Sequence, residues 1–500
     1  MKKRVCILGI LALVMSACQS VPTAMIPQTA AENTMTNQTM NTYSLPEIPP
    51  AKLFQHVTPE IMTLDNGIPV WYVHQPMIPL MTMRVVFTDG ASVDPAHKAG
   101  RASLTAAMLK EGANGKTAQQ ISDEIELLGA AISPSVTQDA AFMTVQSLTQ
   151  YFEQSIDIMS DIWLKPDFAQ DAFERLQKIM LNGLKQRGDN PNALAKLASN
   201  RAYFGEEHPY ARSTDGYIDT ISQMTVDDLK AAYAELFTPN KAAFMAVGDM
   251  PAEDFRNLLN VRFGKMPVQR VEVQETLPVI PEPKLRLTIV DKPDAPQTVI
   301  RIYQPAVVAT SMKTLTWQFV NIPFGGSFTS RLMQNIREDK GFSYGANAGV
   351  AAQKLAGVLV SSSSVASEVT GAALTEFLKE LSRLPKGDFT QEEFERARET
   401  WKSELVQSFE TQSGVLATIA GLYMNRKSTD AINGFARELQ NYTLADFNQI
   451  AQEFPTPQQA TITLVGDKKT ILEQLKAVQV EDITLPEPEF RDFEGKLITP

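Results

Sequence analysis

Apolar positions along this chain follow two periods, and the change from one to the other marks its elements. Residues 69–73 and 81–88 are runs rich in β-branched and aromatic side chains and predict strands. Behind Thr117, a capping residue, Ile121, Ile125 and Leu128 recur at helical spacing until Gly129 stops them. Residues 131–137 and 140–148, joined by Gln138-Asp139, predict a hairpin, and 155–164 and 168–185 predict long helices. The densest pattern is Phe324-Gly325-Gly326-Ser327-Phe328-Thr329-Ser330-Arg331-Leu332-Met333-Gln334-Asn335-Ile336-Arg337-Glu338-Asp339-Lys340-Gly341-Phe342-Ser343-Tyr344-Gly345. After the Gly-Gly turn, Ser327 or Thr329 can cap a helix whose apolar face is Phe328, Leu332 and Ile336, and Asp339-Lys340-Gly341 ends it. Phe342, Tyr344, Ala346 and Ala348 then alternate with small or polar residues, as one buried face of a strand does. Arg337 at the helix end and Tyr344 on the returning strand are thereby expected close together. By themselves these two residues read as a helix-end cation and a half-buried strand aromatic.

The pattern repeats. Asp167-Phe168-Ala169-Gln170-Asp171-Ala172-Phe173-Glu174-Arg175 recurs as Asp388-Phe389-Thr390-Gln391-Glu392-Glu393-Phe394-Glu395-Arg396, with six of nine positions identical at an offset of 221. Thr225 to Leu229 recurs as Thr443 to Phe447, and Thr238-Pro239 with Val247-Gly248-Asp249 recurs as Thr456-Pro457 with Val465-Gly466-Asp467, at an offset of 218. Three blocks in one order imply a duplicated domain. The first copy is placed at 56–267 and the second at 286–485, with a proline-rich linker at 268–285 and a tail at 486–500. The expected class is α+β: two homologous domains, each a largely antiparallel sheet with helices packed on one face.

Composition changes the picture chiefly at the N-terminus. Lys2, Lys3 and Arg4 precede an apolar run from Val5 to Met15 that is too short to span a bilayer, so residues 1–17 read as a targeting segment. Leu13-Val14-Met15-Ser16-Ala17-Cys18 is similar to a bacterial lipobox, which implies that Cys18 is lipidated as the mature N-terminus. Gln19 is not the aspartate that commonly retains such lipoproteins at the inner membrane. The resemblance therefore implies a Gram-negative periplasmic protein anchored to the outer membrane. Residues 18–55, rich in Thr, Asn, Gln and Pro, read as a flexible tether with a root-mean-square span of roughly 35 Å. The chain has two cysteines; Cys6 leaves with the leader and Cys18 would carry lipid, so no disulfide is expected. Without the three leader cations the formal charge of −11 becomes about −14, which speaks against nucleic acid as a partner.

Candidate chemistry is sparse. Gly341-Phe342-Ser343-Tyr344-Gly345 matches G-x-S-x-G, but the order helix, turn, strand is the reverse of a nucleophile elbow, and no histidine follows His208. His56, His74, His97 and His208 are not paired at ligand spacing, His208 is expected in a loop, and Ser361 to Ser364 are expected at a strand end.

The stretch from Phe324 to Gly345 closely resembles the C-terminal-domain signature of the insulinase (pitrilysin-type) zinc metallopeptidases. There a glycine-rich turn, an S-R-L helix and an R-E-x-K-G turn precede a tyrosine, and an Arg/Tyr pair clasps substrate in the zinc site. Arg337 and Tyr344 match that pair. Thr63-Leu64-Asp65-Asn66-Gly67-Ile68-Pro69-Val70 and Asp89-Gly90-Ala91-Ser92-Val93-Asp94-Pro95 resemble the family as well. The resemblance implies a metallopeptidase half-clamshell. Where active members carry H-x-x-E-H, two zinc-binding histidines and the glutamate that activates water, this chain reads Ser103-Leu104-Thr105-Ala106-Ala107. Ser103, Ala106 and Ala107 occupy the degenerate zinc-motif positions, and the distal glutamate ligand is missing near Asn182-Gly183. The resemblance thus implies a subunit inactive on its own, without metal or cofactor. It would lend Arg337 and Tyr344 to a homologous partner that bears zinc and the intact motif, for proteolysis of peptides. The alternative is a peptide-binding or scaffold lipoprotein without any peptidase role.

Overall fold

The computed structural model describes residues 55–269 and 278–498. The leader, Cys18, nearly all of the tether and part of the linker lie outside the described residues. The first sheet contains β1 (Glu60–Thr63), β2 (Pro69–His74), β3 (Leu80–Phe87), β4 (Ala131–Val136), β5 (Ala141–Leu148) and β6 (Ala242–Gly248), in the order β1-β2-β6-β3-β5-β4. The second contains β7 (Arg286–Asp291), β8 (Gln297–Ala306), β9 (Ala346–Ala352), β10 (Gly357–Ala366), β11 (Thr461–Gly466) and β12 (Glu489–Arg491), in the order β9-β10-β8-β11-β7-β12. Setting β2 against β7 and continuing in chain order to β6 against β11 makes the two orders identical, as the sequence repeat requires. In both sheets the strand ending Val-Gly-Asp pairs parallel with the first strand of the repeat and antiparallel with the second. The sheets differ at one edge. β1 closes the first sheet from the N-terminal side, whereas the second is closed by β12, which comes from the segment read as a tail and pairs parallel with β7.

Alternation along the strands decides which layer each side chain joins. Val70, Tyr72, Met83, Val85, Phe244 and Ala246 face the helices of their own half, among them α1 (Arg101–Met108), α2 (Ala118–Leu127), α3 (Thr149–Leu164) and α4 (Gln170–Arg187). α2 starts as the sequence predicts, in a capping box between Thr117 and Gln120. The interleaved Val73, Val86, Met245 and Val247 face the other way and are covered by Val415, Leu416, Ile419 and Ala420 of α7 (Gln412–Met424), a helix of the second half that follows α6 (Gln391–Ser408). The converse contact also exists: Leu194, Ala195 and Ala198 of α5 (Pro191–Phe204) cover Val290, Val299 and Val465 of the second sheet. α5 and α7 begin 221 residues apart, the offset of the Asp-Phe repeat. Each half therefore packs its own helices on one face and receives the equivalent helix of the other half on the second face. Burial on both faces explains why β6 reads as an unbroken apolar run and why every residue of β11, Thr461 and Thr463 included, is buried.

Polar contacts lock this exchange. Thr82 donates to the Gln412 amide oxygen at 2.8 Å, Gln412 donates to the Leu80 carbonyl at 3.0 Å, and the Tyr303 hydroxyl donates to Asn200 at 2.9 Å. The two equivalent hairpin turns meet where the Lys354 backbone N–H donates to Asp139 at 3.0 Å. The described residues, 55–269 and 278–498, accordingly form one compact unit.

Candidate functional site

The Phe324 to Gly345 stretch is fastened to the second sheet at its start. A Cβ on Gly325 would lie 2.5 Å from the Ala348 Cβ and 2.9 Å from Leu332 Cδ1, so only glycine permits this approach of the turn to β9. Asn321 reinforces it by donating to the Ala348 carbonyl at 2.8 Å. The helix cap is Ser330, whose hydroxyl accepts from the Met333 N–H at 3.4 Å, rather than the expected Ser327 or Thr329. Ser330 wins because it is fully buried and directly precedes Arg331, the first helical residue. Arg331 itself is buried and structural: it lies over the Phe389 ring and bonds both Glu393 oxygens at 2.6 and 2.9 Å and Asp388 at 2.6 Å. Those carboxylates belong to the repeated Asp-Phe block, so one repeat motif holds the turn in place.

Leu332 and Ile336 are fully buried, as their spacing predicts, but Phe328 is 62% exposed and does not share their face. With the helix starting at Arg331, Phe328 falls in the preceding turn, where helical spacing has no meaning. From Gln334 the helix widens to a π turn that ends at Asp339, and Gly341 closes it at φ +65°.

Tyr344 also departs from expectation. β9 begins only at Ala346, and Tyr344 stands on the turn before it, 93% exposed, instead of contributing to a buried strand face. Serines replace the ladder at this point: the Ser343 hydroxyl donates to the Ser364 carbonyl at 2.6 Å and accepts from the Gly345 N–H at 3.1 Å, while Ser363 donates to the Gly345 carbonyl at 2.8 Å. The backbone around Tyr344 is thus braced although its side chain is not. Arg337 and Tyr344 flank one turn, but no hydrogen bond joins them among the described residues. Arg337 lies with its guanidinium 4.8 Å from the centre of the Phe328 ring and its Nε 3.1 Å from Glu338. The sequence offered no sign of Phe328 and Ser343 as parts of this site. An apolar residue at i−4 looks like core, and a serine in a Gly-rich turn looks like punctuation.

Ser361 to Ser364 lie in the middle of β10, not at a strand end. Over Ser361 to Ser363 the strand pairs with β8 on one side and β9 on the other, and the Ser362 hydroxyl donates to the Ile300 carbonyl at 3.1 Å.

α1 presents no metal ligand. Ser103 is half-buried, Ala106 buried and Ala107 exposed, and on neighbouring α4 Asn182 and Gly183 are exposed. A hydroxymethyl and two methyl groups do not fit a zinc ion's need for imidazole, thiolate or carboxylate donors. Among the described residues no group of three or more His, Cys, Asp or Glu side chains could hold a metal. What fixes α1 is an ion-pair net in which Arg101 reaches Asp94 at 3.2 Å and Glu235 at 2.7 Å.

His208 sits at the head of a short helical turn, buried against Phe204, and its Nδ1 accepts from the Tyr210 N–H at 3.0 Å. Burial, and secondarily the charge of Arg212, push its pKa down from 6.5 to about 4. The unfolded chain therefore takes up a proton before the folded one as pH falls, and stability drops between about pH 6.5 and 4. In His208→Asn, which removes the titration and keeps an acceptor for Tyr210, the slope of Tm against pH in that window should flatten; an unchanged slope would refute this origin.

Two family models match in succession: "Insulinase (Peptidase family M16)" over residues 70–214 and "Peptidase M16 inactive domain" over 223–400. A Helicobacter pylori protein named "Non-peptidase homolog YmxG" is 24% identical over 412 residues, 80% of this chain and 92% of its own. Among solved structures, a peptidase M16 inactive domain from Pseudomonas fluorescens aligns with TM-score 0.77 and 23% identity, over 82% of this chain and 99% of its own. The first half of the periplasmic protease PqqL from Escherichia coli aligns with TM-score 0.69 and 17% identity, over 87% and 100%. These likenesses establish the two-sheet fold, and with two models of one family set end to end over about two thirds of its length, the chain belongs to the insulinase family of peptidases, M16.

Proposed function

We propose that this chain is the non-catalytic subunit of a heterodimeric insulinase-type zinc peptidase in a bacterial envelope. The observation that carries the reading is the contrast between its two half-sites: α1 offers no ligand, while Arg337 and Tyr344 stand on a braced turn open to solvent. A guanidinium and a phenol are donors suited to the oxygen that becomes negative when a peptide carbonyl is attacked, and neither has to lose a proton to serve. Such donors can be lent across an interface, as an arginine finger is. The zinc and the intact motif would reside on a homologous partner, and the substrates are peptides.

The purified mature chain should contain no stoichiometric zinc and cleave no unfolded peptide; about one zinc per chain with chelator-sensitive cleavage would contradict the proposal. The chain is further proposed to sit in the periplasm, tethered to the outer membrane through lipid on Cys18. No helix among the described residues is long and apolar enough to cross a membrane. Cys18→Ala should abolish lipid attachment and release the protein from the membrane fraction when the partner is absent; retention there would refute the anchor. The relative named a non-peptidase homolog favours a second reading, a peptide-binding or scaffold lipoprotein with no peptidase role, which predicts that no partner gains activity from this chain.

A further inference from the structure

Arg337 is oriented without being saturated. Its guanidinium lies 4.8 Å above the Phe328 ring, its Nε is 3.1 Å from a Glu338 oxygen, and neither Nη atom has a hydrogen-bond partner among the described residues. Arg331 provides the comparison within the same stretch. It too lies over a ring, Phe389 at 4.0 Å, but its fork is filled by Asp388 and Glu393, and it is buried. One guanidinium closes the fold; the other lies over a ring with its fork empty. An aromatic face attracts a guanidinium and fixes its plane without using any of its N–H donors, which suits a group meant to bond something else. The ring is placed by the backbone. The Gly325 turn, too close to Ala348 for any side chain, and the Ser330 cap bracket Gly326 to Thr329, so Phe328 cannot enter the core with Leu332 and Ile336.

We infer that Phe328 is a positioning residue for Arg337: its exposed ring holds the guanidinium plane so that the two Nη donors point as a fork at a carbonyl or carboxylate oxygen of a bound peptide. The inference rests on the proposed role of Arg337. It adds a residue that no spacing argument would select, since an exposed phenylalanine on its own needs no explanation.

The test uses the full-length mature chain, alone and mixed with a homologue from the same organism that retains H-x-x-E-H, with an unfolded fluorogenic peptide as substrate. Phe328→Leu keeps the apolar volume and removes the ring; Phe328→Tyr keeps the ring. Thermal stability should be unchanged in both. In the mixture, Phe328→Leu should lower kcat/KM about two- to five-fold, the scale of an exposed cation–π contact, and Phe328→Tyr should restore it. In an Arg337→Ala background Phe328→Leu should have no further effect. In the chain alone, with arginine labelled at Nε, the ring-shifted Arg337 resonance should move in Phe328→Leu and stay in Phe328→Tyr. A loss on Arg337→Ala with none on Phe328→Leu would overturn this inference and leave the functional proposal standing. No loss on Arg337→Ala would overturn both. Equal loss in the Leu and Tyr variants, or a loss that persists without Arg337, would show that the ring acts by packing and overturn the positioning role.

Discussion

Arg337→Ala or Tyr344→Phe should lower the turnover of the proposed complex with a zinc-bearing homologue by about 10²–10³ for each donor lost, the range found when one oxyanion-hole donor is removed. Folding and association stay intact, because Tyr344 is 93% exposed and the Arg337 contacts are confined to the surface partners Phe328 and Glu338. The loss falls on kcat if the donor engages only the transition state and on KM if it grips the ground-state peptide. Arg337→Lys recovers part of the activity at most, since an ammonium cannot offer the planar fork. If the two residues were only a helix-end cation and a surface aromatic, the variants would show unchanged turnover per folded complex. Measuring turnover and Tm on the same preparations separates the two outcomes.

Ile419→Ala should destabilise the whole described unit by about 2–5 kcal/mol, the cost of truncating a buried aliphatic side chain and leaving a cavity. Ile419 is fully buried, and it packs on the first sheet while belonging to the second half. The helix exchange therefore predicts that its loss is felt in both halves as one shifted transition. The four tryptophans report on this directly, with Trp71 and Trp163 in the first half and Trp317 and Trp401 in the second. Fluorine-labelled tryptophan should show all four signals unfolding together at a lower guanidinium concentration. Two separate transitions, with the first half unmoved, would mean that the halves fold independently and that α7 is a peripheral contact.

Elements fixed by local chemistry were legible in the sequence. The α2 capping box, the hairpin turn at Gln138-Asp139 and the strands ending Val-Gly-Asp each depend on a few neighbouring residues and were found in place. The duplication told that both sheets share one strand order. What escaped was set at longer range. That the outer face of each sheet is covered by a helix of the other half depends on contacts between residues roughly 90 to 350 positions apart; nothing in the α5 or α7 spacing names their targets. The strand at Glu489–Arg491 is three residues long and pairs with β7, each partner 201 positions earlier. In the candidate site, resemblance alone points to Arg337 and Tyr344, and the spacing misplaces their surroundings at two points. Phe328 continued an apolar period across a turn that breaks the helix, and Tyr344 continued an alternation that Ser343 interrupts before the ladder starts.

On the proposed function, this chain completes a site it does not itself contain. The most direct measurement is a titration of the zinc-bearing homologue with this chain at fixed peptide concentration. Neither protein alone should turn over substrate at an appreciable rate, and activity should rise with added chain and saturate at an equimolar ratio. Full activity of the homologue without this chain, or no gain at any ratio from a chain shown to be folded and bound, would contradict the account.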